Sequence, residues 1–214
     1  MTALDPTATT DLEQALDSAL RVAGTNGWTS GSLAQVAEDT GLPHARVLAL
    51  LPTRTAVLEA WGARVDAQVL AEGLDLDPEE TVRDRLFDLI MRRLDALAPH
   101  KAAVSALTPA CAGDPLMGLT AAMGLSRSMA MTLEAAGVGA AGFGGLLRVK
   151  GLSVLFLYVL RAWLSDDSPD MAKTMAALDQ ALDKAESAAI SLFSGRKRGT
   201  DSTPRETGRS PFNP

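Results

Sequence analysis

A chain of 214 residues with 47% hydrophobic content can bury one sizeable core and still carry a small head domain. Its single cysteine excludes an internal disulfide, and no positively charged leader precedes an apolar run, so a cytoplasmic protein is expected. A net charge of −6 argues against generic affinity for nucleic acid, which is driven by neutralising phosphates, and leaves any such binding to local arrangement.

Residues 1–10 are small and polar, with one proline, and are expected to be disordered. From 11 to 25, Leu12, Ala15, Leu16, Ala19, Leu20 and Ala23 recur at helical spacing and predict a first helix. Ser32, three residues before Gln35, has capping-box spacing and opens a second, with Leu33, Val36 and Ala37 on its apolar face. Gly41 closes that helix, because it can take the left-handed conformation a helix end needs. Pro43, its φ preset for a first turn, begins a third helix carrying His44, Arg46, Val47, Leu48 and Leu51. Two short helices joined so tightly cross at a steep angle, the arrangement that offers a second helix to a DNA groove. Residues 11–58 therefore read as a helix-turn-helix head. Between 11 and 65, however, four arginines stand against six acidic residues, where a DNA-reading head normally leans basic.

Residues 59–194 read as the body. A fourth helix, from Arg54 to about 73, carries Val57, Leu58, Trp61, Val65, Val69 and Leu70 and links head to body. After a break at 74–78, residues 79–97 form an amphipathic helix with an acidic start, ended by Pro99. Residues 100–107 read as a short helix, 108–114 as a loop holding Pro109 and Cys111, and 115–136 as a helix rich in Met, Gly and Ala. A flexible Gly-rich connector, 137–145, leads to the most hydrophobic helix, 146–164. Its apolar run from 151 is too short to span a bilayer and contains Arg161, so it is expected to be a buried helix without stable membrane insertion. Asp166 and Asp167 read as a solvated turn. Ser168, Pro169 and Asp170 supply a cap, a first-turn proline and an acid for the last helix, which runs to about 193. Residues 195–214, rich in Ser, Thr, Pro and Gly and basic, are expected to be a disordered tail. No segment alternates at period two, so the fold class is all-α, with about nine helices.

Met117, Met123, Met129 and Met131, with Gly118 and Gly124, leave an adaptable, thinly filled interior opposite Phe87, Met91 and Leu94. Ordinary core packing fits that pattern, and so does a cavity for a small hydrophobic effector. The cavity would be lined by Phe87, Met91 and Met123, with Arg127 or Ser126 orienting the ligand. In the last helix Met171, Met175, Leu178, Leu182, Ala185, Ala189 and Leu192 alternate at spacings of four and three, the pattern of a packing seam, which plain intramolecular core also produces. The helix before it is apolar nearly all round, more than one core can cover. A homodimer is therefore expected, pairing these two helices with their copies through Leu155, Met175, Leu178 and Leu182. The two histidines lie far apart, His100 reading as a polar helix-start residue. No His-Glu-x-x-His, Cys-x-x-Cys or phosphate-cradling glycine loop occurs, so no catalytic centre, metal or cofactor is expected.

The stretch 27–58 resembles the amino-terminal module of TetR-family regulators. The family's places are filled by Gly27-Trp28, Thr29, Ser30 and Ser32, Leu33, Val36-Ala37, Gly41-Leu42, the helix from Pro43 to Leu51, and Arg54. The resemblance implies a TetR-like fold and a one-component regulator, a repressor, that binds operator DNA as a dimer and is released or tuned by an effector. Ser32, Pro43, His44, Arg46 and Arg54 are the residues it assigns to DNA, with Arg46 at a base edge and Arg54 beside a phosphate. Where the family usually has a Tyr and a His-Phe pair, this chain has Leu48 and Leu50-Leu51. The carboxy-terminal half is similar to the lipid-binding accessory family of ubiquinone biosynthesis, itself TetR-like. The shared features are the run from Arg93 to His100, Arg148 and Lys150, and Trp163-Leu164 ahead of Asp166-Asp167-Ser168. That resemblance implies an alternative: a lipid-binding accessory protein that kept the head and lost its DNA contacts. Residues 137–145 lack that family's acidic and aromatic residues.

Overall fold

The computed structural model describes residues 6–28, 32–71 and 79–197, and these form nine α-helices, one 3-10 turn and no strand. The break expected at 74–78, Thr29 and Ser30, and the basic tail from 198 onward lie outside the described residues. In order, the helices are α1 (Pro6–Asn26), α2 (Ser32–Thr40), α3 (His44–Leu50), α4 (Arg54–Ala71) and α5 (Val82–Leu97). After the 3-10 turn Ala98–His100 come α6 (Lys101–Gly113), α7 (Pro115–Ala135), α8 (Gly142–Leu164) and α9 (Ala172–Lys197). Of the residues expected to be disordered at the amino terminus, those from Pro6 onward are helical. A proline in the first turn gives up no hydrogen bond and brings its φ already set, so the helix extends back to it.

The head is held from below. Ala15, Leu16, Ala19, Leu20 and Ala23 of α1 are buried, and α1 packs against α2 on one side and α6 on the other. Gly41 has a φ of +69°, which lets the chain reverse within three residues between α2 and α3. Pro43 sits one place earlier than its expected first-turn position: it is the N-cap of α3, its carbonyl accepting from the Arg46 and Val47 amides. A seven-residue helix has no stability of its own. Burial of Val47 and Leu51, worth roughly 1.5–3 kcal/mol each, is what pins it.

The long helix α4 starts three residues after Leu51 and runs from head to body, burying Val57, Trp61, Val65 and Val69 at every fourth position. These side chains belong to one continuous core with those of α5, α7 and α8. The expected loop at 108–114 is instead the last two turns of α6, with Pro109 inside the helix. Pro109 and Ser105, whose carbonyl the proline ring displaces, both face solvent, so the freed carbonyl can be hydrated and the helix continues. Asp114 then starts α7: its carboxylate accepts from the Leu116 and Met117 amides at 3.0 and 3.2 Å, with Pro115 behind it.

The Gly-rich stretch expected as a flexible connector is an ordered stop and restart. Gly137, at φ +80°, closes α7 with the paired bonds of a Schellman motif, Val138 N–H to the Leu133 carbonyl and Gly137 N–H to the Glu134 carbonyl. The Glu134 carboxylate accepts from the Ala140 amide, and Arg148 donates to the Gly139 carbonyl. Helix α8 begins at Gly142, four residues ahead of expectation, so it spans 23 residues and is long and apolar enough, by length and composition, to cross a membrane. It is not buried all round. Leu152, Leu155, Phe156, Val159 and Trp163 face the core, while Leu147, Val154, Leu157 and Tyr158 face outward.

The last helix starts at Ala172, not at Ser168. Asp166, expected in a solvated turn, is buried: its carboxylate accepts from the Ser168 amide and hydroxyl and from the Thr174 amide and hydroxyl. The Ser168 hydroxyl, with Thr174, holds its pKa well below the ordinary carboxylate range. Lys101 Nζ donates to its backbone carbonyl at 2.7 Å, so one residue ties α6 to the α8–α9 corner.

Candidate nucleic-acid interface and body cleft

On α3 the outward face is formed by His44, Ala45, Leu48 and Ala49 around the turn from the buried Val47, with Pro43 exposed at its start. Of the residues assigned to DNA, Pro43 and His44 are free of cover. Ser32 is buried as the first residue of α2, out of reach of a phosphate, because the helix starts on it and turns it inward. Arg46 is partly exposed, and its Nε donates to Asp11 Oδ2 of α1 at 2.9 Å. Arg54 opens α4, and its Nη2 donates to Asp114 Oδ2, the α7 cap, at 3.1 Å. Arg46 and Arg54 are thus each held by a carboxylate of the same chain. Asp114 carried its own signal, an acid before a proline at a helix start.

Behind the head, Arg64 of α4 clamps α1 through Glu13 and Asp17 at 3.1 and 2.6 Å. Its Nη2 lies 3.1 Å from His100 Nε2, which also stands 3.5 Å from Asp17 Oδ1. Burial and the Arg64 charge push the His100 pKa down, so the ring is neutral at pH 7. The Trp61 and His100 rings meet in a T-shaped contact, with centroids 6.2 Å apart.

Trp61 also lines a cleft of about 470 Å³ between α4, α5, α7 and α8. Leu58, Val65, Leu97, Leu125 and Phe156 form its apolar wall, and Arg93, Arg127 and Ser128 its polar end. Behind that end, buried Asp66 accepts from the Ser128 hydroxyl at 2.6 Å and pairs with buried Arg93 at 2.8 Å. Arg127 Nη2 lies 3.8 Å from the second Asp66 oxygen. Two of the four expected effector residues are here: Met123, 65% exposed, at the rim, and Arg127 one turn further along α7. Phe87 and Met91 are not among the lining residues. They are half-buried and packed against the core. Six residues turn a helix through about 240°, so Phe87 lies round α5 from Arg93, and Met91 likewise from Leu97. Sequence reasoning missed Trp61, Asp66, Arg93 and Ser128. Arg93 had a signal, since it interrupts the apolar stripe Leu86, Leu89, Ile90, Leu94, Leu97.

Three of the four residues expected between subunits are inside the monomer: Leu155, Leu178 and Leu182 are buried, and only Met175, at 37%, reaches the surface. The α9 seam packs on α8 and α5 of its own chain. Among the described residues, one uncovered apolar stripe is on α8, where Leu147, Val154 and Tyr158 follow one another at spacings of seven and four, and α7 exposes Leu116, Leu119 and Met123. Among the described residues no cluster of three or more His, Cys, Asp or Glu could hold a metal ion.

No family model matches the sequence, and no curated protein matches it. Solved structures do match. A TetR transcriptional regulator from Nitrosomonas europaea superposes with a TM-score of 0.68 at 21% identity, covering 85% of this chain and 99% of that one. A TetR transcriptional regulator from Rhodococcus sp. RHA1 gives 0.60 at 15% identity, covering 82% and 95%. The chain has the all-helical fold of these TetR transcriptional regulators over most of its length.

Proposed function

We propose that the protein is a one-component transcriptional regulator, a repressor, that binds operator DNA as a homodimer. In this reading it is a cytoplasmic protein without enzymatic activity. The observation that carries it is the head: α2 and α3 joined by the Gly41–Pro43 turn, with α3 pinned by Val47 and Leu51 and its other face open. Arg46 is the base-reading side chain and Arg54 the phosphate contact. Their present partners do not forbid this. An exposed ion pair is worth about 0–1 kcal/mol, and a good bidentate contact to a base about 1–3 kcal/mol, so the exchange favours DNA. A small apolar effector enters the cleft, whose α4 wall leads directly from α3, and shifts the spacing of two heads. The dimer face is the α8 stripe, so Val154→Glu with Tyr158→Glu is expected to sediment as a monomer while the parent sediments as a dimer.

The decisive experiment titrates the parent, Arg46→Ala and Arg54→Ala against promoter DNA from the protein's own gene neighbourhood. Arg46→Ala relaxes the preference at one base position at a cost of about 1–3 kcal/mol. Arg54→Ala weakens all sequences alike and lowers the salt slope by about one counterion. A second reading, a lipid-binding accessory protein, is favoured by one observation: beyond His44 the outward face of α3 is Ala45, Leu48 and Ala49, with both nearby arginines held by carboxylates. Failure of the parent to bind DNA saturably at low salt would select it.

A further inference from the structure

We propose that α3 reads thymine: the C5 methyl groups of two neighbouring A·T pairs seat against Ala45, Leu48 and Ala49 in the major groove. This rests on the reading of the head as a DNA-binding module and adds the sequence chemistry of its partner.

Ala45, Leu48 and Ala49 are exposed, Leu48 at 40%, while Val47 on the opposite side of the helix is fully buried. Positions i, i+3 and i+4 share one helix face, so these three side chains form the centre of the surface that α3 turns away from the head. His44 and Arg46 flank that centre, one on each side, and Arg46 is tied to α1 through Asp11. The part of α3 that goes deepest into a groove therefore carries neither donor nor acceptor. It carries one isobutyl and two methyl groups.

Base edges in the major groove differ in their hydrogen-bonding groups and in one apolar group, the thymine C5 methyl. An apolar face cannot answer the first and complements the second. Over any other base the same side chains displace water from a carbonyl, an amino group or a ring nitrogen and return no hydrogen bond. Discrimination thus comes from what is lost elsewhere as well as from the methyl contact. The length of the face sets how much is read: the helix rises about 6 Å from Ala45 to Ala49 and bases stack about 3.4 Å apart, so it spans about two base steps. With no long side chain at 45 or 49 to stand it off, the helix backbone seats close enough for Leu48 to reach the base edges. A face that by itself also suits a lipid-binding protein is, in a DNA-reading one, a specificity device.

The test uses promoter DNA from the protein's own gene neighbourhood, copied once with thymidine and once with deoxyuridine. Deoxyuridine keeps every hydrogen-bonding group of the A·T pair and removes only the methyl. Titrated at low salt, the parent binds the thymidine copy about tenfold tighter than the deoxyuridine copy. Leu48→Ala, a shortening at an exposed position, binds the thymidine copy less well and narrows the ratio to about threefold. Arg54→Ala weakens both copies alike and keeps the ratio, because a phosphate contact carries no base identity. Equal binding of the two copies by the parent, or an unchanged ratio in Leu48→Ala, overturns the thymine reading and leaves the regulator standing. No saturable binding to either copy overturns the regulator reading itself.

Discussion

The head and the body hold arginine against aspartate in the same way chemically and in opposite ways physically. In the head, Arg46–Asp11 and Arg54–Asp114 lie at the surface, where water screens the charges and either partner can leave. In the body, Arg93 and Asp66 are buried beside Ser128, and each is indispensable to the other because a lone charge there has no water to turn to. One region holds its cations in pairs that water can open. In the other, the buried guanidinium of Arg93 is tied into the structure by Asp66.

That contrast can be broken. The largest expected effect is Asp66→Ala, which strands Arg93 and is expected to destabilise by about 3–5 kcal/mol in urea unfolding. Asp66→Leu combined with Arg93→Met restores most of that loss. A cost below about 1 kcal/mol for the single variant would place this pair with those of the head. Next comes Asp114→Ala, which removes the two cap bonds of α7 at a cost of about 0.5–2 kcal/mol and also releases Arg54, so DNA affinity rises as stability falls. The smallest change in stability, under about 1 kcal/mol, is expected for Asp11→Asn. Its readout is again tighter DNA binding, because Arg46 no longer has to be taken from a carboxylate. If stability drops sharply instead, the head pair is structural and the contrast fails.

What the sequence made legible follows from the range of each signal. The turn at Gly41 and Pro43 and the stripe of α4 are written locally, in residues that have few other uses, and the fold shows them where they were expected. Rotation about a helix axis is written less clearly. The apolar arc of α5 is wide enough that Phe87 and Met91 looked as fit to line a cleft as Arg93 and Leu97, and only the neighbouring helices decide between the two sides. The seam of α9 was equally readable as a seam, but a row of Leu178 and Leu182 does not say whether its partner is the same chain or another. Trp61 and Asp66 escaped because their roles depend on α5 and α7, 27 or more residues away in the sequence.

The buried carboxylate of Asp166 has a kinetic consequence. It gathers the end of α8, the start of α9 and, through its carbonyl, Lys101 of α6 into one knot. The amides of Ser168 and Thr174 share that single acceptor group, so they are expected to exchange with deuterium together, as one opening unit rather than as two fraying ends. Because the folded-state pKa is depressed, the knot keeps its full strength above the ordinary carboxylate value and loosens only as the pH falls below it toward the folded one. Protection of both amides is then lost in parallel, and the corner that positions the whole length of α9 opens as a single latch.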